Sequence, residues 1–178
     1  MFKKFDFRNK TTRYILQFLI LLIGFFLDGL IKQMVPLFND AFFQVSVQLL
    51  LMVLVMMALR DKPVDNHLFW YALILGILYD SYYSHIFGLY TLVFPLTLVL
   101  IRSLRNFVPE SLIFEGSTYF INLTISLIYL YFVGSFLSLT AVDIAHFVTD
   151  CLGPTLLINT ILFGIIYYPL SKLLDWLV

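Results

Sequence analysis

The continuity of its apolar runs limits this chain more than any other feature. LLLMVLVMMAL at residues 49–59 and LTISLIYLYF at 123–132 carry no charged residue over more than two helical turns. A surface helix of a water-soluble domain would break such a run with polar positions every three or four residues. A barrel strand would alternate apolar and polar over about 10 residues. Neither pattern is present, so the runs read as helices whose solvent is hydrocarbon, where a segment must pair its own backbone groups. Composition agrees: 61% of the residues are hydrophobic and 12% charged, about half the charge of an average soluble domain.

The reading is an all-α polytopic membrane protein, a six-helix transmembrane bundle forming one domain over 1–178. The spans fall at about 14–31, 41–59, 67–83, 86–101, 114–139 and 154–178, each near the ~20 residues a bilayer requires. No small-residue cleavage site follows the first run, so it is expected to be retained. Asn39 or Asp40 is placed to cap the second helix, and Asp65 or Asn66 the third. Gly153-Pro154 reads as a helix stop followed by a helix start.

Lysine and arginine set the orientation. Lys3, Lys4, Arg8, Lys10, Arg13, Arg60, Lys62, Arg102, Arg105 and Lys172 fall on one side of this arrangement, and Lys32 alone on the other. Positive charge is held in the cytoplasm, which predicts cytoplasmic N- and C-termini. The basic N-terminal segment is then a topology signal, or, with Phe2, Phe5 and Phe7, an interfacial contact with anionic lipid. Net charge is zero and nothing points to nucleic acid. One cysteine, Cys151, excludes an intramolecular disulfide framework and a zinc ribbon.

Two carboxylates interrupt the spans. Asp28 and Asp80 both lie roughly 20 Å from the cytoplasmic start of their helices. A carboxylate at such depth costs about 2.5–3.5 kcal/mol and needs a partner. Asp28 has Lys32 four residues on, the favourable order for an intramembrane ion pair. Asp80 sits in GILYDSYYSHIFG, residues 76–88, without a basic neighbour within a turn. It is either a structural cap on the reversal between two antiparallel helices or part of a proton or cation path. On the first reading Gly76 gives close packing and Gly88 close approach in the next helix.

Gln44 with Gln48, and Asn122 with Ser126, share helix faces at i,i+4, while Asn159 and Gly164 mark the last span. These residues read as cross-helix packing contacts or the lining of a ligand cavity. Pro95 and Pro169 predict kinks, with Pro95 able to open a cavity beside the third span. The join TAVDIAHFVTDCLG, residues 140–153, reads as a short amphipathic helix on the outer surface. Its Asp143, His146 and Asp150 form a solvated face or, alternatively, a metal-ligand set. No zinc-protease, nucleophile-elbow or P-loop pattern occurs, which predicts a protein that is not an enzyme and needs no cofactor or metal.

The G-x-x-x-D of Gly76–Asp80, the short turn after it, and Gly88 opening FGLYTLVFPLTLVLI through Pro95 resemble the rod-shape-determining protein MreD family. Chain length and the six spans fit that family as well. The resemblance implies a non-enzymatic scaffold subunit of the bacterial elongation machinery (elongasome) in the cytoplasmic membrane, helping to direct peptidoglycan synthesis. It implies an MreC-like single-span partner, with a RodA-type glycosyltransferase and a class-B penicillin-binding transpeptidase nearby. It also implies a fold similar to the substrate-binding subunits of energy-coupling-factor transporters. Gly76, Asp80, Gly88 and Pro95 would then shape the outer end of the third and fourth spans for helix packing against the partner. The rival reading is such a transporter subunit itself, for a vitamin or other small molecule.

Overall fold

The computed structural model describes residues 10–34, 45–60, 66–107, 109–138 and 142–177. Asn39, Asp40, Gln44, Lys62, Asp65 and the N-terminal basic segment before Lys10, all given roles above, lie outside the described residues.

Apolar continuity becomes helix throughout, and no strand occurs among the described residues. The helices are α1 (Lys10–Met34), α2 (Leu49–Arg60), α3 (His67–Tyr79), α4 (Tyr90–Leu104), α5 (Leu112–Phe136), α6 (Ile144–His146) and α7 (Gly153–Leu177). A π-helical turn, Asp80–Ser84, extends α3. Another, Phe147–Leu152, joins α6 to α7. Three of the resulting rods are long and apolar enough to cross a membrane: Lys10–Met34, Leu112–Phe136 and Ile144–Leu177.

The centre of the bundle is the shortest rod. α2 is only 12 residues, about 18 Å, and every side chain from Leu49 to Ala58 is buried. It packs against α1, α4, α5 and α7, which explains why its sequence has no polar face: it has neighbours all round. The surrounding helices point a second set of large apolar side chains outward, among them Ile15 and Ile23 of α1, Leu92 and Val99 of α4, and Leu157 and Ile165 of α7. An exterior as greasy as the interior suits lipid and not water.

Three boundaries differ from the sequence expectation. In the second span, predicted as one helix over 41–59, the described residues Val45–Gln48 are non-helical, largely buried chain and the helix α2 begins at Leu49. The fourth, predicted from Ile86, starts at Tyr90, because His85 (φ 56°) and Gly88 (φ 104°) take left-handed conformations that no helix can pass through. Gly153 is not a helix stop: its φ of −57° is right-handed helical, and the chain runs without a break from Ile144 into α7. The join before it is therefore the first turns of the last rod and not a separate surface helix.

Candidate functional site

α3 and α4 make the most extensive helix pair of the bundle, and the contact begins at Gly76. A Cβ there would stand 2.7 Å from Thr91 Cα and 2.8 Å from the Tyr90 carbonyl oxygen, so only glycine lets the two backbones meet. One turn later Asp80 is fully buried. Its Oδ1 accepts the Tyr90 N–H (2.8 Å) and the Ser84 hydroxyl (3.2 Å). Its Oδ2 accepts the N–H groups of Gly88 (2.8 Å) and Thr91 (3.1 Å) and the Thr91 hydroxyl (2.7 Å). The first N–H groups of a helix have no partner within it. Asp80 supplies one from ten residues upstream, and the positive end of the α4 dipole favours its charge. Gly88 contributes differently from the close approach expected of it. Nothing would lie within 4 Å of a Cβ there, and its requirement is the positive φ.

Asp28 repeats this device. Buried near the end of α1, it accepts the N–H of Leu49 on Oδ1 (2.6 Å) and of Leu50 on Oδ2 (3.2 Å), the opening of α2. Four residues before it stands Gly24, where a Cβ would approach Leu50 Cα to 3.2 Å. GFFLD and GILYD are thus two copies of one element, a glycine that seats the following helix and an aspartate that caps it. Sequence reasoning weighed only the second copy. The identical G-x-x-x-D spacing at Gly24–Asp28 was the signal available.

The two copies differ in what precedes the capped helix. Before α2 lies the non-helical Val45–Gln48, where the Ser46 N–H and carbonyl and the Gln48 N–H are met by side chains from a distant helix. Asn159 of α7 accepts the Gln48 N–H on Oδ1 (2.9 Å) and donates from Nδ2 to the Ser46 carbonyl (2.8 Å). The Thr155 hydroxyl oxygen accepts the Ser46 N–H (3.2 Å). Tyr119 of α5 donates its hydroxyl toward Asn159 Oδ1 (3.1 Å), with the Gln48 carbonyl also in reach (3.3 Å). Gln48 Nε2 donates to Tyr90 Oη (3.2 Å), which ties this segment to α4. Beside it lies a cavity of about 270 Å³ lined by Asp28, Lys32, Ser46, Tyr79, Tyr83 and Tyr90.

Asn159 is therefore a cross-helix contact, as its residue type suggested, but Asn122 and Ser126 are not. Asn122 Nδ2 donates to the Thr118 carbonyl (2.8 Å) and the Ser126 hydroxyl to the Asn122 carbonyl (2.8 Å), both within α5. Asn66 precedes α3 without capping it by its side chain, and its Oδ1 instead accepts from Arg102 of α4 (3.2 Å). Pro95 lies inside α4, and the small cleft on that helix opens on the α5 side and not beside α3.

The opposite end holds a cluster that the charge count did not foresee. Arg60, read above only as an orientation signal, is buried with Glu115 of α5, donating to both of its carboxylate oxygens (2.8 and 3.0 Å). Its Nε reaches Asp175 (2.7 Å) and its Nη2 the Ser171 hydroxyl (2.9 Å), both on α7. This fork clamps α2, α5 and α7. Glu115 as the one acid in the first turn of α5 was the sequence signal.

His146 Nδ1 and Asp150 Oδ2 lie 3.1 Å apart on an exposed face. Among the described residues no three His, Cys, Asp or Glu side chains gather in a way that could hold a metal ion.

No curated protein and no solved structure matches the chain. One family model does, that of the rod shape-determining protein MreD, over residues 12–177. A match over nearly the whole length, on a helical bundle built for lipid, makes this chain a member of the MreD family of cell-shape membrane proteins.

Proposed function

We propose that the protein is a non-enzymatic adaptor of the bacterial elongasome, lying in the cytoplasmic membrane with its Gly88 end outward and its Arg60 end in the cytoplasm. In this role it binds an MreC-like single-span protein and helps direct peptidoglycan synthesis beside RodA-type and class-B transpeptidase enzymes. The observation that carries the reading is the engagement of the interior carboxylates. Asp80 holds five donors, Asp28 two helix-opening N–H groups, and Glu115 the Arg60 guanidinium. A carboxylate has about four lone-pair sites, so Asp80 is filled by its own turn. Such groups build a rigid scaffold rather than relay protons.

On this reading Gly76, Asp80 and Gly88 act on a partner through the shape of the turn they hold, and not by a direct bond from Asp80. Pro95 belongs to the same outer half of α4. Lys32, which lines the same cavity as Asp28, supplies positive charge near that carboxylate. The test is purification of the tagged protein from its native membranes in mild detergent, with partners identified by mass spectrometry. Recovery of the MreC-like protein with wall synthases is the expected result. Recovery of ATPase subunits with a coupling membrane protein would replace the adaptor with an energy-coupling-factor-type transporter subunit, and would make the cavity beside Asp28 its substrate site.

A further inference from the structure

GFFLD and GILYD end in the same residue, and the two aspartates differ in how fully they are used. Asp80 holds five donors. Asp28, 3% exposed, accepts from the Leu49 and Leu50 N–H groups alone among the described residues. A carboxylate has about four lone-pair sites, so about two of those on Asp28 stay open, and Asp28 lines the cavity of about 270 Å³. A second group there is also short of partners. Tyr79 is 6% exposed, and its hydroxyl makes no hydrogen bond among the described residues. Its oxygen is not sealed, because Tyr79 lines the same cavity. Tyr90 Oη accepts from Gln48 Nε2 (3.2 Å) and keeps its own hydrogen to give.

The chemistry of these groups describes what would fill the space. Its volume is far more than a metal ion needs and lies near the low end of ligand cavities. Water can meet the open hydrogen bonds, but it cannot offset a carboxylate's charge, which is costly at membrane depth. A primary ammonium does both. Its three N–H groups match about two sites on Asp28 and the Tyr79 oxygen. The rings of Tyr83 and Tyr90 share the cavity wall with Tyr79, their centroids 4.8 and 4.2 Å from its own, and aromatic faces attract a cation. Lys32 lines the cavity from an exposed position. A bare amine would meet that like charge on entry, whereas a ligand with a phosphate beside its ammonium offers each charge its opposite. Val45, Val47, Leu89 and Leu130 supply an apolar part of the wall, and the outside of the bundle is built for lipid. The fit is to an amphiphile.

We propose that this cavity binds the head group of an aminophospholipid from the leaflet at the Gly88 end, its primary ammonium held by Asp28 and Tyr79 and its phosphate by Lys32 and the Tyr90 hydroxyl. The head group then joins α1, α3 and α4, which supply these four residues. The binding belongs to the chain alone and does not depend on the adaptor reading.

The test is native mass spectrometry of the purified full chain, offered phosphatidylethanolamine and phosphatidylglycerol with matched tails in equal amounts. The expected result is one phosphatidylethanolamine retained in preference by about tenfold or more, the worth of one charge-assisted hydrogen bond. Tyr79→Phe removes a hydroxyl that no described protein group uses, so its thermal midpoint without lipid should be unchanged. Its preference should nonetheless fall by about threefold to tenfold. Asp28→Asn keeps a helix-capping acceptor and removes the charge, and should abolish the preference; Tyr79→Phe decides the matter if that variant accumulates poorly. Equal retention of the two lipids would leave the cavity to water and overturn the proposal. A preference unchanged by Tyr79→Phe would place the lipid elsewhere and overturn it too. Binding of soluble phosphoethanolamine, with no preference between the lipids, would assign the same groups to a free solute and remove the lipid. Each of these failures leaves the adaptor reading as it stands, since no partner is present in the measurement.

Discussion

The α3–α4 hairpin and the α1–α2 hairpin use the same glycine and aspartate and differ in what stands between aspartate and helix. Asp80 reaches α4 across a short turn, and the groups it binds lie within eleven residues of it. Asp28 lies twenty-one residues before Leu49, and in the stretch just ahead of α2 the Ser46 backbone and the Gln48 N–H take their hydrogen bonds from Thr155 and Asn159 of α7. The first hairpin to be made is thus completed by the rest of the bundle, while the second closes on itself. A buried cap works in both settings because it answers backbone groups that every helix start leaves open. What changes with setting is how many distant elements share the consequence of losing it.

The comparison can be broken most sharply at Asp80. Asp80→Ala strands three N–H groups inside the turn, each worth about 1–3 kcal/mol when buried and unmet. The expected loss is about 4 kcal/mol or more, seen as failure to accumulate or as a large drop in thermal midpoint in detergent. Asp28→Ala strands two such groups, and about 2–4 kcal/mol is expected. Asp28→Asn, which keeps one acceptor, should fall between that variant and wild type.

Asn159→Ala should cost about 2–3 kcal/mol by removing the partners of the Gln48 N–H and the Ser46 carbonyl. In double-mutant cycles it should couple with Asp28→Ala and add independently to Asp80→Ala. Equal coupling to both aspartates would contradict the division between a self-closed and a bundle-dependent hairpin. The smallest effects are the glycines. Gly76→Ala forces a methyl onto the α4 backbone at 2.7 Å and should cost about 1–3 kcal/mol. Gly24→Ala, at 3.2 Å from Leu50 Cα, should cost under about 1 kcal/mol. Both are read from the thermal midpoints of the purified variants.

Fold class followed from apolar continuity alone, and Asp80 stood out because a carboxylate in such a run requires a reason. The turn around it was legible since its partners are near in sequence. Val45–Gln48 was not, because VSVQ contains no Gly or Pro to mark a helix boundary, and the groups that bind its backbone, Thr155 and Asn159, lie more than a hundred residues away. The pairing of Arg60 with Glu115 was hidden for the same reason. Arg60 had an adequate local explanation as an orientation signal, and only the packing of α2 against α5 and α7 joins it to Glu115.

The dependence of Val45–Gln48 on α7 has a consequence for biogenesis. Membrane helices leave the translocation machinery in chain order, yet the segment that leads into α2 finds hydrogen-bond partners on α7, more than a hundred residues further along the chain. Until α7 arrives, the backbone of Ser46 and Gln48 must stay near water or pair elsewhere. The central helix therefore takes its final depth late, and a chain halted before Thr155 would leave its own core unseated.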